Sequence, residues 1–209
     1  MKLYGFWRST CTWRVRIALE LKGIEHEYQP VHLLKGEQHQ DGYARKNPMR
    51  QVPLLELDDG TPLAQSMAIL DYLDEVYPEP PLLPPEPLLR ARARKLAEIV
   101  ASGIQPLQNT STQKYVREQL HGDAKEWVRH FVASGLAALE TETAAGAGVY
   151  SVGDQLTIAD VCLVPELYFA RRFGLDLSQY PTLVRIDAAC AALPAFGKAH
   201  AEAQPDAEK

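Results

Sequence analysis

The stretch "YPEPPLLPPEP", residues 77 to 87, limits what this chain can fold into more than any other. Six of the fifteen prolines fall there. Proline removes a backbone donor and forbids a continuing helix, so no regular element runs through the stretch. It reads as a linker: one domain spans 1–80, a second spans 88–209, and 81–87 connect them. A chain of 209 residues is long enough for two such domains, each with its own core.

Composition narrows the function classes. Hydrophobic residues make up 46% and charged residues 23%, an ordinary balance for a soluble globular protein. The net charge of −5 argues against nucleic acid as a partner. No apolar run is long enough to cross a membrane, and "MKLYGFWRST" lacks the apolar core of a signal peptide, so no membrane partner is expected. Cys11, Cys162 and Cys190 are odd in number and far apart. This pattern fits a reducing compartment rather than a disulfide framework or a zinc site. The six histidines show no ligand spacing, so no metal is expected, and no glycine-rich phosphate loop is present.

The first domain mixes strand and helix. "KLYGFW" is strand-like, and "TWRVRIALELKG" is rich in helix formers and ends at Gly23. "EYQPVHL" reads as an edge strand because of Pro30. "GEQHQDGYARKNP" is a short helix with a loop. "VPLLELDDGTPLA" is two strands around an Asp-Gly turn. "SMAILDYLDEVYP" opens with Ser66 as a candidate N-cap and repeats apolar residues at 69, 70, 73 and 76. The order is strand, helix, strand, helix, strand, strand, helix, an α/β layer.

The second domain reads as all helical. Its segments are "LLRARARKLAEIVASGIQPLQ", "AKEWVRHFVASGLAALETETA" with apolar residues at 127, 128, 131, 132, 136 and 139, "TIADVCLVPELYFARRF" and "TLVRIDAACAAL". Thr157 and Asp160 form a capping box with Asp in place of Glu or Gln. "AAGAGVYSVGDQLT" is a loop, and the polar tail "AEAQPDAEK" reads as loose.

The chemistry concentrates in "RSTCTWRVRIAL", residues 8 to 19. Cys11 sits where a strand gives way to a helix, and a helix start favours an anion. A two-cysteine redox motif would need a second cysteine at position 14, which is Arg14. Cys11 as a lone redox thiol and Ser9, Thr10 or Thr12 as donors to a ligand's thiolate both stay open. So does plain helix capping. A thiol of pKa ~8.5 is about 3% thiolate at pH 7, and lowering it two units gives roughly 75% at a need of about 2.7 kcal/mol. One charge-assisted hydrogen bond plus a helix N-terminus supplies that.

Three further motifs carry a functional and an ordinary reading. "QVP", residues 51 to 53, is either a turn before a strand or a cis proline with the Val52 backbone free to meet an extended peptide. "AQSMAIL" places Gln65 and Ser66 at a helix start that either caps itself or holds a carboxylate. Arg8, Arg14, Arg16, Arg171 and Arg172 are candidates for gripping an acidic substrate, or simply surface charges. His32 and His39 read as supporting polar residues rather than bases.

The order "STCTWRVRIAL", "NPMRQVP", "AQSMAIL", with an α/β unit, a proline linker and a helical unit, resembles the cytosolic glutathione transferases. The match sharpens to the zeta class, whose signature Ser-Ser-Cys-x-Trp-Arg-Val-Arg-Ile-Ala-Leu here carries Thr10 for the second serine. "GIQPLQN", "TIADVCLVP" and "RRFGLDLSQYPTL" are similar to zeta segments too, so the resemblance covers the whole chain.

The resemblance implies a thioredoxin-like N-terminal domain with a cis proline at Pro53 and an all-α C-terminal domain. It implies glutathione as cofactor, bound by Ser9, Thr10, Cys11, Gln38, His39, backbone Val52, Gln65 and Ser66, with Gln108 and Asn109 over the site. Ser9, Thr10 and Cys11 would be catalytic, with Ser9 the main thiol activator. Arg172 and Arg8 would hold substrate carboxylates. The implied reaction is cis–trans isomerisation of a diketo diacid by thiol addition, rotation and elimination, in the cytoplasm, by a homodimer. Maleylacetoacetate in aromatic amino-acid breakdown is the leading substrate. "MKLYGFWRS", "VHLLKGEQH" and "AQPDA" also resemble the maleylpyruvate branch of gentisate breakdown. A conjugating transferase, a glutathione-linked redox protein and a binding module are the other readings.

Overall fold

In the computed structural model, which describes residues 1 to 208, β1 (Lys2–Gly5) turns Leu3 and Gly5 inward. It pairs in parallel with β2 (Glu27–Pro30) and antiparallel with β3 (Leu54–Glu56), which pairs antiparallel with β4 (Pro62–Ala64). The order is β2-β1-β3-β4, so Pro30 does lie on an edge strand. Helices α1 (Thr10–Leu21), α2 (Asp41–Lys46) and α3 (Ser66–Val76) complete the layer, in the expected sequence of elements. Val15, Ile17, Ala18 and Leu19 of α1 and Ile69, Leu70 and Leu73 of α3 are fully buried. Each large apolar side chain removed from water in this way stabilises by about 1.5–3 kcal/mol.

Gly5 sets how closely α1 approaches β1. A Cβ at that position would lie 2.3 Å from Thr12 Cγ2 and 3.0 Å from Tyr28 Cε2, so only glycine fits between helix and strand. The unit is the thioredoxin-like layer that the resemblance implies.

This unit spans Met1–Pro81, and the chain from Leu193 onward belongs to it as well. That corrects two expectations. The C-terminal segment is not part of the helical unit, and the tail is not loose. It forms α10 (Pro194–Ala199) and a 3-10 turn at Ala201–Ala203. Its anchors are a hydrogen bond and an aromatic contact: Arg16 Nε donates to the Ala199 carbonyl at 3.0 Å, and His200 meets Trp13 edge-on at 4.8 Å. Polar composition alone hides such a return.

The second unit, Leu82–Ala192, is helical throughout: α4 (Pro87–Glu98), α5 (Gln105–Gln108), α6 (Thr110–Glu118), α7 (Ala124–Ala144), α8 (Ile158–Arg172) and α9 (Pro181–Ala191). The sequence predicts one long helix where α4, a π-helical segment Ile99–Ile104 and α5 stand in succession. Pro106 lies in the first turn of α5 and cannot donate into the preceding turn. Val128, Val132, Leu136 and Leu139 give α7 its buried stripe. The capping box at the head of α8 is present: Asp160 accepts from the Thr157 N–H at 2.7 Å and the Ser151 N–H at 2.8 Å. Burial pushes the Asp160 carboxyl up, and these hydrogen bonds oppose that.

The proline-rich stretch is more ordered than a linker of 81–87 implies. Lys22 Nζ, with its side chain fully buried, bonds Asp74 at 2.8 Å and the carbonyls of Tyr77 and Pro80 at 2.6 and 2.9 Å. Leu82 is buried in the helical unit and its carbonyl accepts from the Ile158 N–H at 2.9 Å.

Candidate active site

Ser9 heads α1 in extended backbone, and its Oγ accepts from the Thr12 N–H at 3.2 Å. This is an N-cap, as the ordinary reading holds. Accepting uses a lone pair of the hydroxyl and leaves its proton to donate. Capping therefore orients Ser9 without preventing it from donating to an anion in front of the helix. Thr10 follows as the first helical residue, 5% exposed, and Cys11 is half-buried.

Two helix starts are tied together beneath this point. Arg14 is buried, and its Nη1 lies 3.8 Å from Cys11 Sγ and 3.4 Å from Ser66 Oγ. Ser66 is the first residue of α3, not its cap; the cap position is Gln65. Gln65 has φ +72, a conformation that costs a non-glycine residue about 1–3 kcal/mol and persists where the surroundings enforce it. The Gln65 side chain makes no capping bond to the head of α3, where the helix dipole favours an anion. Burial of Arg14 and Arg16 corrects their reading as substrate-gripping or surface charges. Arg16 Nη2 and Nε are committed to the Trp7 and Ala199 carbonyls, and burial lowers the Arg16 pKa to about 10.

The third wall is the turn before β3. The Val52–Pro53 peptide is cis, as the second reading of "QVP" has it. Neither backbone group of Val52 enters a hydrogen bond among the described residues. The Gln51 carbonyl, on the same peptide plane, accepts from Asn47 Nδ2 at 2.8 Å and from the Tyr43 hydroxyl. Two bonds to that carbonyl fix the plane and hence the direction of the Val52 N–H. Asn47, 3% exposed, also accepts from the Met49 N–H at 3.1 Å. Sequence reasoning missed Asn47 and Tyr43; the asparagine–proline pair in "KNPM" was the available sign of a built turn.

Gln38 and His39 share a 3-10 turn, Glu37–His39. Gln38 Oε1 is buried with no hydrogen-bond partner among the described residues, while His39 is exposed. In the helical unit, Gln108 is 2% exposed and its Nε2 donates to Glu166 Oε2 at 2.8 Å and Gln105 Oε1 at 3.1 Å. Its Oε1 has no partner among the described residues. Asn109 heads α6 without a capping bond.

Of the remaining arginines, Arg171 is paired with Asp187 at 2.6 Å. Arg172 is exposed, its guanidinium 5.9 Å from the centre of the Tyr168 ring. Arg8 lies over the rings of Phe6 and Trp7, at 5.6 and 5.4 Å.

This set of donors and one acceptor suits a thiol tripeptide, with two carboxylates and an ammonium. It offers a hydroxyl proton at a helix start, an unused peptide edge at Val52, a helix N-terminus at Gln65–Ser66 and an unpartnered amide oxygen at Gln38.

Comparison with known proteins agrees. The family model for the glutathione S-transferase N-terminal domain matches residues 8–76, and that for the C-terminal domain matches residues 110–194. Maleylacetoacetate isomerase of Rattus norvegicus is 47% identical over 98% of this chain and 94% of its own length. A crystal structure of maleylacetoacetate isomerase from Anaeromyxobacter dehalogenans, with glutathione in its active site, is 55% identical, with a TM-score of 0.91 over 99% of this chain and 97% of that one. A second structure of that protein holds dicarboxyethyl glutathione and citrate. The holo structure of a bacterial maleylpyruvate isomerase of the zeta class is 43% identical, with a TM-score of 0.96 over all of both chains. The chain belongs to the glutathione transferase family, in its zeta class with the maleylacetoacetate and maleylpyruvate isomerases, and is a glutathione-dependent enzyme.

Proposed function

We propose that this protein isomerises maleylacetoacetate to fumarylacetoacetate in aromatic amino-acid breakdown. The observation that carries the reading is Ser9: a capped, oriented hydroxyl whose proton is left to donate at the start of α1. Bound glutathione supplies a thiol nucleophile that adds to the cis double bond and is released once the bond has rotated.

The chain's own residues do the rest. Ser9 Oγ–H donates to the sulfur and, with the field of the α1 N-terminus, holds it ionised. Cys11, next to Arg14 Nη1, adds to the favourable surroundings without itself forming a bond. Thr10 supports the same loop. Val52 offers its backbone to the tripeptide, Gln65 and Ser66 take a carboxylate at the head of α3, and Gln38 and His39 take a further end. Gln108 and Asn109 contribute from the helical unit. Arg8 and Arg172 hold the substrate carboxylates, for which a guanidinium is suited by its paired donors. Donors aimed at charge that develops on the substrate carbonyl lower the barrier to addition.

Three free cysteines support a reducing compartment, and we assign the enzyme to the cytoplasm. No helix among the described residues is long and apolar enough to cross a membrane. A homodimer is part of the same proposal, supported by apolar side chains left uncovered, Met49 at 63% exposure among them.

Maleylpyruvate is the second reading, since the chain superposes in full on the holo maleylpyruvate isomerase; an equally full superposition on a maleylacetoacetate isomerase and the higher identity to the Anaeromyxobacter protein support maleylacetoacetate. Steady-state kinetics on both acids decides. The proposal expects kcat/KM for maleylacetoacetate to be the larger by at least about tenfold, or ~1.4 kcal/mol in transition-state binding. The reverse ratio assigns the enzyme to maleylpyruvate.

A further inference from the structure

The loop that carries Ser9 is not held by the sheet. β1 ends at Gly5, and in the turn between it and α1 the Ser9 N–H donates to the Phe6 carbonyl at 2.9 Å. Two charged groups hold the loop by taking both backbone polar groups of Trp7. Arg16 Nη2 donates to the Trp7 carbonyl at 2.7 Å. Asp206 Oδ2 accepts from the Trp7 N–H at 3.0 Å, across 199 residues of chain. The same oxygen accepts from the Tyr28 hydroxyl at 3.3 Å.

We propose that Asp206 is a positioning residue for the thiol-activating loop, clamping the Trp7 peptide against Arg16 so that Ser9 Oγ meets the glutathione sulfur. The C-terminal segment is thus a strap on the loop, and the proposal rests on the role given to Ser9 above. The strap is anchored along its length. Arg16 Nε holds the Ala199 carbonyl and His200 packs on Trp13.

The arrangement has a chemical reason. A negative charge near the thiol would oppose its ionisation, but Arg16 lies in the same buried cluster and balances Asp206. Asp206 therefore contributes an acceptor with its charge locally compensated. Displacing a catalytic group by about 1 Å costs up to roughly a hundredfold in rate. Only Arg8 stands between Trp7 and the Ser9 cap, which leaves little chain to absorb such a shift.

The test compares the full-length protein with its Asp206→Ala, Asp206→Asn and Glu208→Gln variants. Two quantities are read: amide hydrogen exchange across residues 6–10 in the glutathione-free protein, and the thiolate absorbance of saturating glutathione at pH 7. The proposal expects Asp206→Ala to speed exchange and lower the thiolate fraction, with kcat down roughly tenfold and KM for the diacid little changed. Asp206→Asn keeps an acceptor and loses the charge, so it stays within about twofold of wild type. Glu208→Gln lies off the clamp and behaves as wild type.

Wild-type exchange and thiolate in Asp206→Ala, or equal losses in Ala and Asn, overturn the proposal. If Asp206→Ala does not fold, Asp206→Asn decides alone, since a tenfold loss there contradicts an acceptor role. A wild-type protein without glutathione-dependent isomerisation overturns the function proposed above, while the exchange data still report whether Asp206 holds the loop.

Discussion

Arg14 Nη1 stands 3.4 Å from Ser66 Oγ, 52 residues on, and 3.8 Å from Cys11 Sγ, so one buried guanidinium joins the start of α1 to the start of α3. The two helix starts are where the helix dipoles favour an anionic tripeptide. Arg14→Ala is expected to destabilise the fold by about 1–3 kcal/mol, because it strips Ser66 of a buried partner. KM for glutathione should rise severalfold. Arg14→Lys should rescue neither, since one ammonium lacks the planar fork that reaches both atoms. Thermal unfolding and glutathione titration check both statements.

Ser9 and Cys11 separate the isomerase from a redox protein. With Ser9 donating to the sulfur, Ser9→Ala should lower kcat by roughly 10²-fold and reduce the thiolate fraction of bound glutathione. Loss of the cap adds about 1 kcal/mol of destabilisation. Cys11→Ala should cost less than tenfold. Total loss in Cys11→Ala with a mild Ser9→Ala would assign the chemistry to the cysteine. The comparison is of single-turnover rates at saturating glutathione.

Asn47 acts at one remove. Asn47→Ala frees one of the two donors that fix the Gln51 carbonyl, so the Val52 N–H loses its direction. KM for glutathione should rise about five- to tenfold, ~1 kcal/mol, with kcat at saturating glutathione nearly unchanged. A fall in kcat with KM unchanged would contradict the role.

Tyr43 predicts an alkaline limit. Burial raises its phenol from the ordinary value of 10 to about 12. A group with a raised folded pKa stabilises fully below its unfolded value, near 10, and loses that contribution as pH rises through about 12. Stability should therefore fall by up to about 1.4 kcal/mol per pH unit above pH 10 from this residue. Tyr28, raised further by burial, acts in the same direction. Urea unfolding across pH 9–12 should show a shallower fall in Tyr43→Phe; an identical pH dependence would refute the assignment.

Much of this architecture is legible in the residues, and what is not has identifiable causes. Apolar spacing marks α7 over the whole of Ala124–Ala144, and Thr157 with Asp160 marks the head of α8. The proline before β3 marks the Val52 turn. Arg14 and Arg16 mislead because charge on a helix normally means an exposed face, whereas Arg14 is buried against Cys11 and Ser66, and Arg16 by the loop and terminal segment it holds. Gln65 misleads because nothing in a non-glycine residue announces φ +72. The return of the tail depends on contacts with partners nearly 200 residues away, such as Trp7 with Asp206, which no local pattern encodes. The break between α4 and α5 lies among good helix formers, and only Gly103 and Pro106 hint at it.

The most direct test follows maleylacetoacetate absorbance with purified protein, with and without glutathione, while free thiol is assayed through the run. The account predicts fast conversion to the trans acid only when glutathione is present, with the thiol pool undiminished after many turnovers. Conversion without glutathione, or loss of one thiol for each substrate consumed, would contradict it.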